Sequence, residues 1–166
     1  MNPVFGLRRG SSAALRAAHD RAAITDVLAL YCERIDSYDV DAVVDLFTAD
    51  AVMDFGPGRG GVLRGRAALR ARFAGGQGGF RRTHHHLGQV RITEEADGRV
   101  HAVSSCSAGH EHHDGTQWRV GLRYVDVLVR SDGAWRIAER RIEAALVEGG
   151  PRDGWTWVVR KEPETG

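Results

Sequence analysis

The chain has 166 residues, 42% of them hydrophobic and 27% charged, which is the composition and length of one globular domain able to fold on its own core. Twenty-three basic residues against 22 acidic ones leave a formal net charge of +1, so nothing in the charge calls for nucleic acid or an anionic membrane as partner. No apolar run approaches the roughly 20 residues of a membrane span, and the opening MNPVFGLRRG lacks the apolar stretch of a signal peptide, which makes the cytoplasm the expected location.

Residues 1–10 read as a loose arm, and Ser11 or Ser12 is placed to cap a helix. Ile24, Val27, Leu28, Tyr31 and Ile35 form one apolar stripe at helical spacing, which predicts a helix ending near Asp36. A turn over 36–39 follows, with Asp39 suited to cap a short second helix carrying Val40, Val43, Val44 and Phe47. A strand is expected over 51–55, a glycine-rich turn over 56–61, a third helix over 65–73 and a loop over 74–79, where four of six residues are glycine. The period then falls to two, predicting strands over 87–92, 100–107, 118–129 and 134–146. Asp97-Gly98 and Asp132-Gly133 are hairpin turns between them. Helices followed by strands predict an α+β fold with the helices packed on one face of a curved antiparallel sheet. The tail is polar except for Trp155 and Trp157, which are expected to dock. Cys32 and Cys106 read as reduced core residues.

Six of the eight histidines fall in two clusters. His84, His85 and His86 precede the first long strand; His110, His112 and His113 lie between the second and third. If those strands pair, the clusters approach one another, and imidazoles in an apolar pocket suit acid–base chemistry because they titrate near pH ~6.5. Solvated loop histidines are the plain alternative. His85, His110 and His112 could also serve as zinc ligands, but no HExxH or cysteine pair supports this, and no metal is expected. Asp36, at a helix end, is either solvated or turned inward to hold an imidazole in one tautomer. Tyr31 is either core packing or a hydroxyl at a pocket. On an ideal helix it points about 140° away from Asp36, so the two share a site only where a pocket opens over the helix end. Arg141 alternates with Glu139 and Glu143, which favours an ion pair over a contact to an anionic substrate group. No GxSxG elbow, phosphate loop or dinucleotide fingerprint is present.

The runs Ala23–Tyr31, Ile35–Asp39, Leu46–Ala51, Arg123–Asp126 and Asp132–Arg141 resemble SnoaL-like proteins of the nuclear-transport-factor-2-like superfamily. The resemblance implies a cone of helices in the concave face of a strongly bent mixed, mainly antiparallel sheet. It also implies a domain over 21–146, preceded by an arm and helix start over 1–20 and followed by a tail over 147–166. Asp36 and the segment Thr83–Gly88 resemble the aspartate and histidine segment of scytalone dehydratase and bile acid 7α-dehydratase. This implies catalytic roles for Asp36, His85, His110 and Tyr31, with Phe55, Tyr124 and Arg141 as substrate-binding candidates; the register between Arg140 and Arg141 stays open. Phe55 stands where scytalone dehydratase has a tyrosine, so scytalone is not the implied substrate. The implied activity is that of a cofactor-independent acid–base enzyme on a small apolar carbonyl or hydroxy metabolite of secondary metabolism, a dehydratase or a cyclase/isomerase. Epoxide opening, with Asp54 or Asp126 partnering Asp36, and a non-catalytic small-molecule-binding domain are the alternatives. A homodimer or homotrimer is implied, and no nucleic-acid or membrane partner.

Overall fold

The computed structural model describes residues 12–161; the expected arm over 1–10 and the last five residues of the tail lie outside them. In chain order the elements are α1 (Ser12–Asp36), α2 (Val40–Val44), β1 (Phe47–Asp54), β2 (Val62–Arg64), α3 (Arg66–Gln77), β3 (Phe80–Glu94), β4 (Val100–His112), β5 (Gln117–Ser131) and β6 (Ala134–Glu148).

Helix α1 buries the predicted stripe, Ile24, Val27, Leu28, Tyr31 and Ile35, together with Cys32. It stops at Asp36 because Tyr38 takes a left-handed conformation (φ 57°) and the Asp39 carboxylate then accepts the Ala42 N–H, capping α2. The strands form one curved, unclosed six-stranded sheet in the order β2-β1-β6-β5-β4-β3. β1 runs parallel to β6, and every other neighbouring pair is antiparallel. A bulge between Leu87 and Val90 bends β3. Gly88 sits in it, where a Cβ would lie 2.4 Å from the Ser105 hydroxyl. α1 packs against β3 on the inner face, to which β4 turns Val100, Ala102, Ser104, Cys106, Ala108 and His110.

Several expectations are corrected. Phe47 opens β1 instead of lying on the second helix, so that strand starts four residues before the expected 51. β3 begins at Phe80 and β4 continues to His112, so both histidine clusters lie largely inside paired strands instead of before or between them. Neither segment carries the apolar alternation that marks a strand; cross-strand pairing decides their conformation. Helix α3 runs on through Gly75 and Gly76 to Gln77, where glycine content predicted a loop.

The described part of the tail is docked. The Ala144 N–H donates to Thr156 O and the Val158 N–H to Ala144 O, both at 2.8 Å, filling the edge of β6 beyond its pairing with β1. Trp155 is buried, whereas Trp157 is partly exposed. No helix among the described residues is long and apolar enough to cross a membrane.

Candidate active site

The pleat of β3 sends Thr83, His85 and Leu87 inward and His84 and His86 outward. The His84 side chain is 80% exposed and that of His85 only 6%. Because α1 ends over this stretch of β3, the Asp36 carboxylate meets it directly. One oxygen accepts from the Thr83 hydroxyl (2.8 Å) and stands 2.6 Å from His85 Nδ1; the other accepts the His85 backbone N–H at 2.7 Å. Burial pushes the Asp36 pKa up, but the His85 ring, the His85 N–H and the Thr83 hydroxyl outweigh it and hold the carboxyl below its ordinary value. An ionised carboxylate can only accept, so Nδ1 carries a proton, and in the neutral ring Nε2 carries the lone pair. His85 Nε2 has no hydrogen-bond partner among the described residues.

Strand register brings in His110. Thr83 pairs with His110, His85 with Ala108, and His110 in turn with Trp118. His85 and His110 are therefore diagonal neighbours on one face. Ala108, with only a methyl group, leaves room for the two rings, whose centroids lie 5.6 Å apart at 83°. His110 lies flat on Trp118, centroids 4.0 Å apart at 8°. Burial, reinforced by His85 and Arg59, depresses the His110 pKa to about 3, so this imidazole is neutral at ordinary pH. Its Nδ1 is buried without a hydrogen-bond partner among the described residues.

Both rings face a cavity of about 520 Å³, counting its open mouth, whose walls include Tyr31, Phe55, Phe73, Tyr124 and Trp155. Asp36 is not among the lining groups; it stands behind His85. The obstacle posed by the angle between Tyr31 and Asp36 on α1 is thereby removed: Tyr31 faces the cavity, and Asp36 reaches it through His85. Burial raises the Tyr31 pKa to about 12, so its hydroxyl stays protonated.

Of the two arginines between which the sequence left the register open, Arg140 is the inward one, and Arg141 makes the ion pair that its spacing favoured. Arg141 points outward and pairs with Glu143 at 2.7 Å, as strand alternation requires once Arg140 points in. Arg140 is the fully buried one. It makes a two-pronged ion pair with Asp126, its partner across the strands, at 2.7 and 2.9 Å. Its guanidinium lies 4.1 and 4.2 Å from the ring centroids of Tyr31 and Tyr124. Burial opposes its charge, but Asp126 more than compensates. Asp126 is thus committed to Arg140, and Asp54 accepts the Gly56 N–H in a turn. Neither lines the cavity, so the carboxylate pair required for epoxide opening is not assembled there. His112 packs on Phe80, 4.9 Å between ring centroids, and among the described residues no three His, Cys, Asp or Glu are grouped as a metal site. Cys32 and Cys106 are free and buried.

Among the lining residues, Arg59, Arg72 and Trp118 carried no functional reading in the sequence. Trp118 was within reach, since the period-two pattern of β5 puts it on the face of Tyr124. Arg59 lies in a glycine-rich turn and Arg72 on a short helix, with no local signal that either faces a cavity.

The SnoaL-like domain family matches residues 16–141. The chain belongs to this family, whose cone-shaped fold within the nuclear-transport-factor-2-like superfamily it adopts. Among solved structures, it is similar to a "putative scytalone dehydratase" from Novosphingobium aromaticivorans (TM-score 0.81, 20% identity, covering 88% of this chain and 97% of that one). A "putative aromatic ring hydroxylase" from the same species is 25% identical (TM-score 0.73, 79% and 93% covered). Hexachlorocyclohexane dehydrochlorinase LinA-type3 from Novosphingobium barchaimii is 15% identical (TM-score 0.73, 89% and 99% covered). No curated protein sequence matches.

Proposed function

We propose that the protein is a lyase-type acid–base enzyme, working through its own side chains, that acts on a small and largely apolar carbonyl compound. The observation that carries this reading is the 2.6 Å contact between Asp36 and His85 Nδ1, which leaves Nε2 as the free nitrogen of a ring lining an aromatic cavity. Nε2 takes a proton from the carbon next to the carbonyl, and Asp36 stabilises the imidazolium that forms. The electron pair of the broken C–H bond becomes the enolate. It then forms the C=C bond as a β-hydroxyl leaves as water with a proton from a donor, or closes a ring onto an internal electrophile.

The donors available for the enolate oxygen or the leaving hydroxyl are neutral His110 and protonated Tyr31. A neutral imidazole offers an N–H to developing negative charge without bringing a competing positive charge close to His85. Similarity in fold to a dehydrochlorinase and to a protein named for dehydration accords with elimination chemistry.

The test is proton exchange. Small ketones and β-hydroxy ketones incubated with the protein in D2O should take up deuterium next to the carbonyl, followed by NMR, and the β-hydroxy compounds should lose water. His85→Gln should abolish both. A panel that binds without exchange or turnover would instead establish a non-catalytic binding domain.

A further inference from the structure

Arg59 and Arg72 line the same cavity as His85 and His110, and neither makes an ion pair among the described residues. Arg59 lies over Trp155, its guanidinium 3.6 Å from the ring centroid and 5.8 Å from that of Trp118. Stacking of this kind fixes the plane of a guanidinium while leaving its N–H edge open to a ligand. Arg72 is held by Phe55, at 4.7 Å, and donates to the Arg59 carbonyl at 3.2 Å. Its place is kept open by an absent side chain: a Cβ on Gly76 would fall 2.0 Å from Arg72 Nη1. A glycine inside a helix ordinarily costs about 1 kcal/mol relative to alanine, and here it makes room for a charged group at a cavity. Arg59 loses hydration there and is repelled by Arg72, both of which lower its pKa.

Two like charges, partly desolvated, fixed by aromatic rings and without a counter-ion, are uncompensated until a ligand brings a negative charge. The cavity offers no carboxylate to satisfy them, since Asp36 is behind His85 and occupied by it. We infer that Arg59 and Arg72 form an anion-binding subsite, and that the substrate is an aromatic or unsaturated carbonyl compound carrying a carboxylate. The carboxylate lies between the two guanidiniums and the reacting carbon lies toward His85 Nε2. This assignment deepens the acid–base reading and rests on it only in calling the bound molecule a substrate.

The experiment compares trans-cinnamate with its neutral amide, trans-cinnamamide, by calorimetry at pH 8 and by quenching of the Trp118 and Trp155 emission beside Arg59. Charge-assisted hydrogen bonds predict binding about ten-fold or more tighter for the carboxylate, weakening with added salt. Arg59→Gln and Arg72→Gln should each reduce that preference, and the double variant should abolish it. Gly76→Ala keeps both charges and favours the helix, yet should lower the preference by displacing the Arg72 guanidinium; it keeps the test open if a glutamine variant fails to fold. Equal affinity for acid and amide, no binding of either at millimolar concentration, or a preference that survives the double variant would overturn the assignment. Repeating the titration on His85→Gln separates the two readings. A carboxylate preference retained there, with no deuterium exchange by the unaltered protein, sustains the subsite and refutes the acid–base enzyme. Exchange of neutral ketones without carboxylate preference does the reverse.

Discussion

The rings of His85 and His110 meet edge to face, centroids 5.6 Å apart, and they sit in different electrostatic surroundings. Asp36 holds one of them; the other is buried beside His85, Arg59 and His112, whose combined effect outweighs the attraction of Asp36. A proton added to His110 would lose hydration and be repelled by these basic side chains.

Stability should therefore depend on pH through His110. Its pKa falls from 6.5 to about 3 on folding, so between these values the unfolded chain binds a proton that the folded chain does not. Stability rises with pH across that window and is lost as pH falls below about 6.5. The contribution lost by pH 5 is about 2 kcal/mol. Urea unfolding at pH 7, 6 and 5 should show this slope, and His110→Gln should flatten it.

The dyad gives a kinetic prediction with a structural control. Asp36→Asn should lower kcat by about 10²–10⁴-fold, because an amide can donate to Nδ1 and so favour the tautomer that protonates Nε2. The folded-state pKa of Asp36 is depressed, so its carboxylate stabilises the fold above its unfolded value, and this is lost as pH falls through the folded one. The stability gap between Asp36→Asn and the parent should consequently close in acid. Circular dichroism with steady-state rates on any substrate found by exchange checks both; an unfolded variant at pH 7 would make Asp36 a structural residue.

Arg140 and Arg141 should respond oppositely to the same change. Arg140→Met leaves Asp126 buried without its ion-pair partner and should cost about 3–5 kcal/mol. Arg141→Met removes one exposed ion pair and should cost less than about 1 kcal/mol. Chemical denaturation of the two variants tests the register of β6 directly.

The wall built by the tail has its own test. A Cβ on Gly58 would lie 2.5 Å from the Gly154 Cα, a clash with backbone that a side-chain rotation cannot relieve. Gly58→Ala should cost about 1–3 kcal/mol and loosen the segment carrying Trp155, read as faster proteolysis of the tail and weaker cinnamate binding.

The α+β order, the end of α1 at Asp36, the cap at Asp39 and the inward stripe through Tyr31 were all readable from spacing, because each is a local pattern of side chains against a fixed backbone period. The pairing of Asp36 with His85 was readable only by resemblance, since 49 residues separate them and no periodicity spans that distance. The histidine segments did not look like strands, and α3 did not look like a helix through its glycines, because in both places long-range pairing or packing overrides local preference. Arg140 differs from Arg141 by a single step in a period of two, and that step decides which arginine is buried with Asp126. What the chain by itself determined is which faces are apolar, that helices precede strands, and that α1 ends at Asp36. Which histidine reaches which ring, which arginines stay without a counter-ion, and which wall Trp155 builds were decided by strand register and sheet curvature, since those bring together side chains that share no sequence neighbourhood.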